Sequence, residues 1–195
     1  MFNKNTYLIK EHVAFLKLTD KYDIIDPETN TVIAYAKENI SGFKKFLRLL
    51  LKKALMGTKV EIKNALDNTV EYTLIKKVNF LRPKVHIYDK NDKEIGFFKS
   101  RIFTLGGRFD VFKADGTKVA DVKGNWTGWN FKFQDTNGNE IGTVSKKWTG
   151  IGKEFFTNAD SYVVAIHESQ QGKQEIMSLL IMAGLAIDVV YREKQ

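Results

Sequence analysis

VHIYDKNDKEIGFF (85–98) alternates apolar and polar residues on both sides of a short polar turn. The pattern recurs in FDVFKADGTKVADV (109–122) and FKFQDTNGNEIGTV (131–144), with Ile95, Val119 and Ile141 at spacings of 24 and 22 residues. Alternation with a period of two is typical of β-strands, and Asp-Gly or Asn-Gly pairs supply the left-handed backbone that tight turns need. Each of the three segments therefore predicts a β-hairpin.

Two more hairpins and one further strand extend this pattern. The hairpins are YDIIDPETNTVIAYA (22–36) and VEIKNALDNTVEYTL (60–74), the second turning near Asp67 and Asn68, and the strand is SYVVAIH (161–167). Ten to twelve short strands in meander order leave edges that must be protected, and closure of the sheet removes those edges. The sequence predicts a mainly β fold, a closed antiparallel barrel of about twelve strands.

The apolar run IMSLLIMAGLAIDVVY (176–191) predicts a helix at the centre of this barrel. Only Ser178 and Asp188 interrupt it, and a helix that is apolar on all sides must be surrounded by protein. At about 1.5 Å per residue it spans roughly 24 Å, less than the ~30 Å hydrocarbon core, so a C-terminal membrane anchor is the weaker alternative. A buried Asp188 requires a partner, and Arg192 stands one turn later. No linker interrupts the chain, and residues 1–195 are predicted to form one domain.

Composition limits the function classes. The 195 residues contain no cysteine, which excludes disulfides, thiolate metal sites and S-acylation. The net charge of +8 favours polyanionic partners, either anionic membranes or nucleic acid. The amino terminus lacks an apolar stretch long enough for a secretory signal, so we expect a cytoplasmic protein. The histidines are far apart and no glycine-flanked serine is present, which predicts a protein that is not an enzyme.

Positive charge is concentrated in residues 37–63, which hold eight basic and two acidic residues. Ser41 and Gly57 are suitable start and stop signals for a helix between them. Its apolar face carries aromatic anchors and its opposite face is basic, as in helices that lie on anionic membranes. The candidate lipid- or polyanion-binding residues are Phe43, Lys44, Lys45, Phe46, Arg48, Lys52 and Lys53. The alternative is a helix packed on the barrel with a solvated basic face.

Two C-terminal stretches carry a resemblance to a known family. IGTVSKKWTGIGKEFFTNADSY (141–162) and GLAIDVVYRE (184–193) resemble the C-terminal part of phospholipid scramblases. They also resemble the related LURP-one-related proteins and, more remotely, the tubby C-terminal domain. The resemblance implies a twelve-stranded barrel around a hydrophobic C-terminal helix, and a role in phospholipid scrambling or lipid-linked signalling.

The sequence also departs from the scramblase pattern at two places. Scramblases carry a cysteine-rich acylated segment where this chain has ISGFKKFLRLLLKKALMG (40–57), and we hypothesise that the basic helix replaces it next to the membrane. The calcium segment proposed for the family begins Asp-Ala-Asp, whereas this chain has Asn158-Ala159-Asp160. Asp160 and Asn158 remain calcium candidates against a turn or capping role. These departures argue that calcium and acylation do not control the protein, and no other cofactor is expected.

Two functions follow from the sequence. The first is peripheral binding to anionic phospholipid at the inner face of a membrane, without enzymatic activity. The alternative is a module that binds a protein or nucleic acid through the same basic residues. Exposed Phe43 and Phe46 would favour the lipid, whereas a steep salt dependence would favour nucleic acid.

Overall fold

The chain folds into a closed barrel of twelve antiparallel strands with one long helix at its carboxyl end. The computed structural model describes residues 1–12, 21–39, 57–77, 84–101, 107–125, 128–146 and 161–192, with helix side chains up to residue 188. The strands are β1 (Thr6–Glu11), β2 (Lys21–Asp26), β3 (Thr31–Glu38), β4 (Thr58–Asn64), β5 (Val70–Lys76), β6 (Lys84–Asp89), β7 (Glu94–Ser100), β8 (Gly107–Lys113), β9 (Lys118–Asn125), β10 (Asn130–Gln134), β11 (Glu140–Ser145) and β12 (Ser161–Ile166). Each strand pairs with its neighbours in sequence, and β1 pairs with β12. The predicted fold class is confirmed.

The five tight hairpins share one turn geometry. Each has one residue with a positive φ angle, namely Asn30, Asn68, Asp92, Gly116 and Gly138, with φ between 53° and 87°. Each hairpin also has a one-residue register shift beside its turn. A turn that ends in a left-handed residue and a bulge explains both observations, and Gly, Asn and Asp are the residues that tolerate this backbone. The hairpin predictions are confirmed.

Strand β1 closes the barrel, and the sequence pattern did not predict it. Tyr7 pairs with Val164 of β12, and Ile9 pairs with Ile24 of β2. Both inward side chains, Tyr7 and Ile9, are almost fully buried. The strand is short and no tight turn flanks it, so it lacks the hairpin signal that marks the other strands.

The helix α1 (Gln174–Arg192) fills the barrel and includes the predicted segment 176–191. Residues 177–188 are all buried, and the helix contacts β6, β7, β8 and β12. Leu179, Leu180 and Ile181 are 0% exposed, and each such side chain stabilises the fold by about 1.5–3 kcal/mol on burial. The hydroxyl groups of Ser178 and Tyr72 lie 2.9 Å apart and form a hydrogen bond. Ser178, the polar residue near the start of the buried part of the helix, therefore has a hydrogen-bond partner on the barrel wall.

Candidate functional site

The site residues predicted from sequence lie outside the described residues. These residues are Phe43, Lys44, Lys45, Phe46, Arg48, Lys52, Lys53, Asn158 and Asp160. The structure does describe the strands on either side of them. Strand β3 ends at Glu38 and β4 begins at Thr58, and the strand after the calcium candidates begins at Ser161.

The antiparallel topology divides the barrel into two ends of different chemistry. One end, which we call the turn end, holds the five hairpin turns 27–30, 65–69, 90–93, 114–117 and 135–139. The strand ends at the opposite end, which we call the connection end, are joined by the segments 12–20, 39–57, 77–83, 101–106, 126–129 and 146–160. The sequences of these six segments contain twelve basic and three acidic residues. The five turns contain two basic and five acidic residues.

Turn chemistry explains much of the acidic charge at the turn end. The Asp135 carboxylate accepts hydrogen bonds from Asn139 and from the backbone of Asn137, and these bonds lower the pKa of Asp135. The Asp115 carboxylate accepts from the backbone N–H of Thr117, which lowers the pKa of Asp115. Such bonds hold tight turns and favour Asp at these positions.

Aromatic residues follow the same division. All three tryptophans, Trp126, Trp129 and Trp148, belong to the connection segments, whereas the five turns contain no aromatic residue. The Trp129 ring is buried in the barrel, and Trp126 and Trp148 lie outside the described residues, so this distribution does not by itself indicate an aromatic surface.

On the outer wall near the connection end, a row of cations crosses three neighbouring strands. Arg108 of β8 is in register with Lys123 of β9, which is in register with Lys132 of β10. All three side chains are exposed. Lys132 forms a 2.8 Å ion pair with Glu140, whereas Arg108 and Lys123 have no ion pair within the described ranges. Like charges directly opposite each other destabilise a sheet, so the fold gains nothing from this row.

An open groove of about 470 Å³ lies beside this row. It is lined by Lys123, Gly124, Asn125, Gly128, Asn130, Lys132 and Ser145. Ammonium, amide and hydroxyl groups are donors for phosphate oxygens, and none of the described lining residues carries a carboxylate. The groove is therefore suited to an anion.

The groove borders a strained backbone position. Trp129, between the groove residues Gly128 and Asn130, has a φ angle of 45°. This conformation is rare for a bulky residue, and such strain occurs preferentially at functional sites. The Trp129 ring is buried, its carbonyl accepts from the backbone N–H of Lys146 at 3.2 Å, and the Lys146 ammonium lies 5.2 Å from the ring centroid.

An ion network next to the row neutralises its own charges. Arg101 forms two bonds to Asp110 at 2.5 and 2.8 Å and also binds Asp121, while Lys118 lies 2.9 Å from Asp110 and 2.8 Å from Asp121. Burial opposes ionisation of Asp110, but the bonds from Arg101 and Lys118 outweigh it and lower its pKa from 3.8 to about 2. The two carboxylates of this network are neutralised by its own two cations, Arg101 and Lys118. They therefore do not compensate the charges of Arg108 and Lys123.

A comparison with protein-family models shows to which family the chain belongs. The family model described as Scramblase matches residues 16–194, which is nearly the whole sequence. The chain belongs to the Scramblase family. No curated protein and no solved structure matches it. The predicted resemblance is confirmed, and the barrel is that of a scramblase-like, lipid-related protein.

The Scramblase family raises the question of a membrane-spanning segment. In the part of the chain that the structure describes, no helix combines the length and the apolar content of a membrane span.

Inside this scramblase-like barrel, charged groups collect near the connection end. Glu11, Glu38, Lys76 and Asp188 are all buried, and each of them has an interaction partner. The Tyr162 hydroxyl is buried without a hydrogen bond to the described residues, and burial together with the charge of Asp188 raises the pKa of Tyr162 well above 10. The side chain of Arg192, the predicted partner of Asp188, lies outside the described residues.

The three histidines do not form a common site. His12 pairs with Asp23 at 2.7 Å, His86 pairs with Glu94 at 2.9 Å, and the ring of His167 accepts from the backbone N–H of Ser169. Within the described ranges, no group of three or more histidine, aspartate or glutamate side chains is placed to hold a metal ion.

Proposed function

We propose that this Scramblase-family barrel is a non-enzymatic protein that binds anionic phospholipid surfaces peripherally, with its connection end towards the membrane. The observation that carries the proposal is the polarity of the barrel. Twelve basic and three acidic residues stand in the connection segments, and eleven of the basic ones remain when Arg101, which is bound to Asp110 and Asp121, is left out. The five turns together with residues 1–5 and 167–173, which lie at the same end, hold four basic and six acidic residues.

The two ends are far enough apart for a membrane to distinguish them. Strands of five to eight residues at about 3.3 Å per residue separate the ends by roughly 15–25 Å. This exceeds the Debye length of about 8 Å at physiological ionic strength. Each basic residue close to an anionic surface contributes about 1 kcal/mol, so the connection end is attracted while the acidic turn end is held away. The cytoplasmic leaflet carries the anionic lipids and is the surface that this charge distribution fits.

The basic segment 41–57 is the element that we expect to contribute most of this attraction. It holds five of the twelve basic residues of the connection segments, and it joins two strand ends at the connection end. In the helix that the sequence predicts for this segment, Phe43 and Phe46 would be the apolar anchors inserted between headgroups.

Vesicle flotation tests the proposal. We expect the protein to float with anionic vesicles and not with neutral vesicles, and to bind more weakly at higher salt. The pair Lys44→Glu and Lys45→Glu, and the pair Arg48→Glu and Lys52→Glu, should each weaken flotation strongly. The control pair Lys90→Glu and Lys93→Glu makes the same change in net charge at the turn end and should have little effect. Absence of flotation under every condition would contradict lipid binding, and a search for nucleic-acid and protein partners would follow.

A further inference from the structure

We propose that the groove between β9, β10 and β11 is a binding site for the phosphate group of an anionic phospholipid, with Lys123 and Lys132 as its charged ligands and Asn130 as a polar one. This inference rests on the proposed function, because it assigns a headgroup site on a membrane-bound barrel. It uses Arg108, Lys123, Asn130, Lys132 and Ser145, which are separate from the basic segment 41–57.

The first argument is the electrostatic cost of the cation row. Lys123 stands directly between Arg108 and Lys132 in the sheet register. A residue in that position with a neutral, β-branched side chain would remove two like-charge contacts and stabilise the sheet. A side chain that costs stability on a rigid wall, rather than on a loop, indicates that its charge acts on something outside the fold.

The second argument is that neighbouring acids leave the charge available. Asp110 and Asp121 lie two residues away along their strands and are bound by Arg101 and Lys118. Glu140 pairs with Lys132, but both side chains are about half exposed and such a pair is worth little. A phosphate can therefore replace Glu140 at Lys132 at small cost.

The third argument is the shape of the groove. Its volume of about 470 Å³ is within the range of small-ligand sites and exceeds what a single phosphate group needs, which leaves room for the attached glycerol. Gly128 at its rim has no atom within 4 Å of the position a Cβ would take, so the rim is open to solvent. Its position near the strand ends of the connection end gives access to a headgroup at a membrane surface.

The test separates stability from binding. Lys123→Thr should raise the melting temperature and lower the affinity for anionic vesicles about fivefold, and Lys123→Thr with Lys132→Thr should lower it about thirtyfold. The control pair Lys90→Thr and Lys93→Thr removes the same charge at the turn end and should leave the affinity unchanged within twofold. Soluble glycerol phosphate should compete with vesicles more strongly than sodium chloride at the same ionic strength.

Each outcome assigns success or failure to one claim. If the wild type binds no vesicle, the proposed function fails, and the headgroup site fails with it. If the wild type binds and the Lys123 and Lys132 variants bind equally well, the groove is not a headgroup site while the proposed function stands. If the variants weaken binding but glycerol phosphate competes no better than salt, the lysines act only as diffuse charge, and the site is again contradicted.

Discussion

The position of the helix inside the barrel is tested by one small substitution, Gly184→Ala. A Cβ at Gly184 would lie 2.7 Å from Cγ2 and 3.3 Å from Cγ1 of Val164 on β12, and 3.4 Å from Val144. Val164 and Val144 are 0% exposed, and their branched side chains have little rotamer freedom. The added methyl therefore has no space to enter without displacing the barrel wall.

Two opposing effects set the magnitude. In an exposed helix, Gly→Ala stabilises by about 1 kcal/mol, because alanine has the higher helix propensity. Overpacking a close-packed core costs about 1–3 kcal/mol. We expect Gly184→Ala to lower the free energy of unfolding by up to about 2 kcal/mol. In the background of Val164→Ala the clash is gone, and the same change should stabilise by about 1 kcal/mol.

Urea unfolding of the four proteins of this double-mutant cycle, followed by tryptophan fluorescence, measures both effects. We predict a coupling energy of about 1–3 kcal/mol and a reversal of sign between the two backgrounds. Gly128→Ala is the control, since a methyl there would touch nothing within 4 Å, and its effect should be independent of Val164. If Gly184→Ala stabilises equally in both backgrounds, the helix does not pack against β12 and the central-helix arrangement is wrong.

Three more predictions follow from the described contacts. Gly124→Ala should lower the free energy of unfolding, measured in urea, by about 1–3 kcal/mol. The reason is that a Cβ at this position would overlap the Phe131 ring and the Asn130 carbonyl oxygen. An unchanged free energy of unfolding would show that these groups do not approach so closely. Asp110 has a pKa lowered from 3.8 to about 2, so its stabilising effect is complete above pH 4 and is lost as the pH falls towards 2. Acid unfolding should therefore show a shallower pH dependence for Asp110→Asn than for the wild type, and equal slopes would contradict the ion network. Vesicle flotation in calcium should equal flotation in chelator, because Asn158 replaces a carboxylate of the family's calcium segment, and strong calcium dependence would restore Asp160 as a ligand.

The barrel was predictable because its signals are local. Gly116 and Gly138 mark tight turns, the alternation on either side marks the strands, and a helix without a polar face has to be enclosed. Strand β1 was missed for two reasons. Its pairing with β12 spans about 155 residues, and its pairing with β2 lacks the tight-turn signal that marks the hairpins.

The surface chemistry was less predictable. The register of Lys123 with Lys132 is set by the folded sheet, because no tight turn of the kind found in the five hairpins joins β9 to β10 in the sequence. The pairing of Arg108 with Lys123 could have been predicted from the sequence, because the turn at Asp115 and Gly116 sets the register of β8 with β9. Successive segments between strands belong alternately to the two ends of the barrel. The difference in charge between the ends can therefore be counted only when the strand order has assigned each segment to its end.

The central claim, that the connection end faces the membrane, can be tested with one fluorophore at each end. The chain contains no cysteine, so Lys77→Cys at the connection end and Leu66→Cys at the turn end give single labelling sites. Both residues are exposed, and Leu66 is 94% exposed. With anionic vesicles, an environment-sensitive dye at position 77 should shift to the blue and be quenched by brominated lipid, while the dye at position 66 stays unchanged. A shift at position 66 and none at position 77 would place the turn end on the membrane and contradict the account.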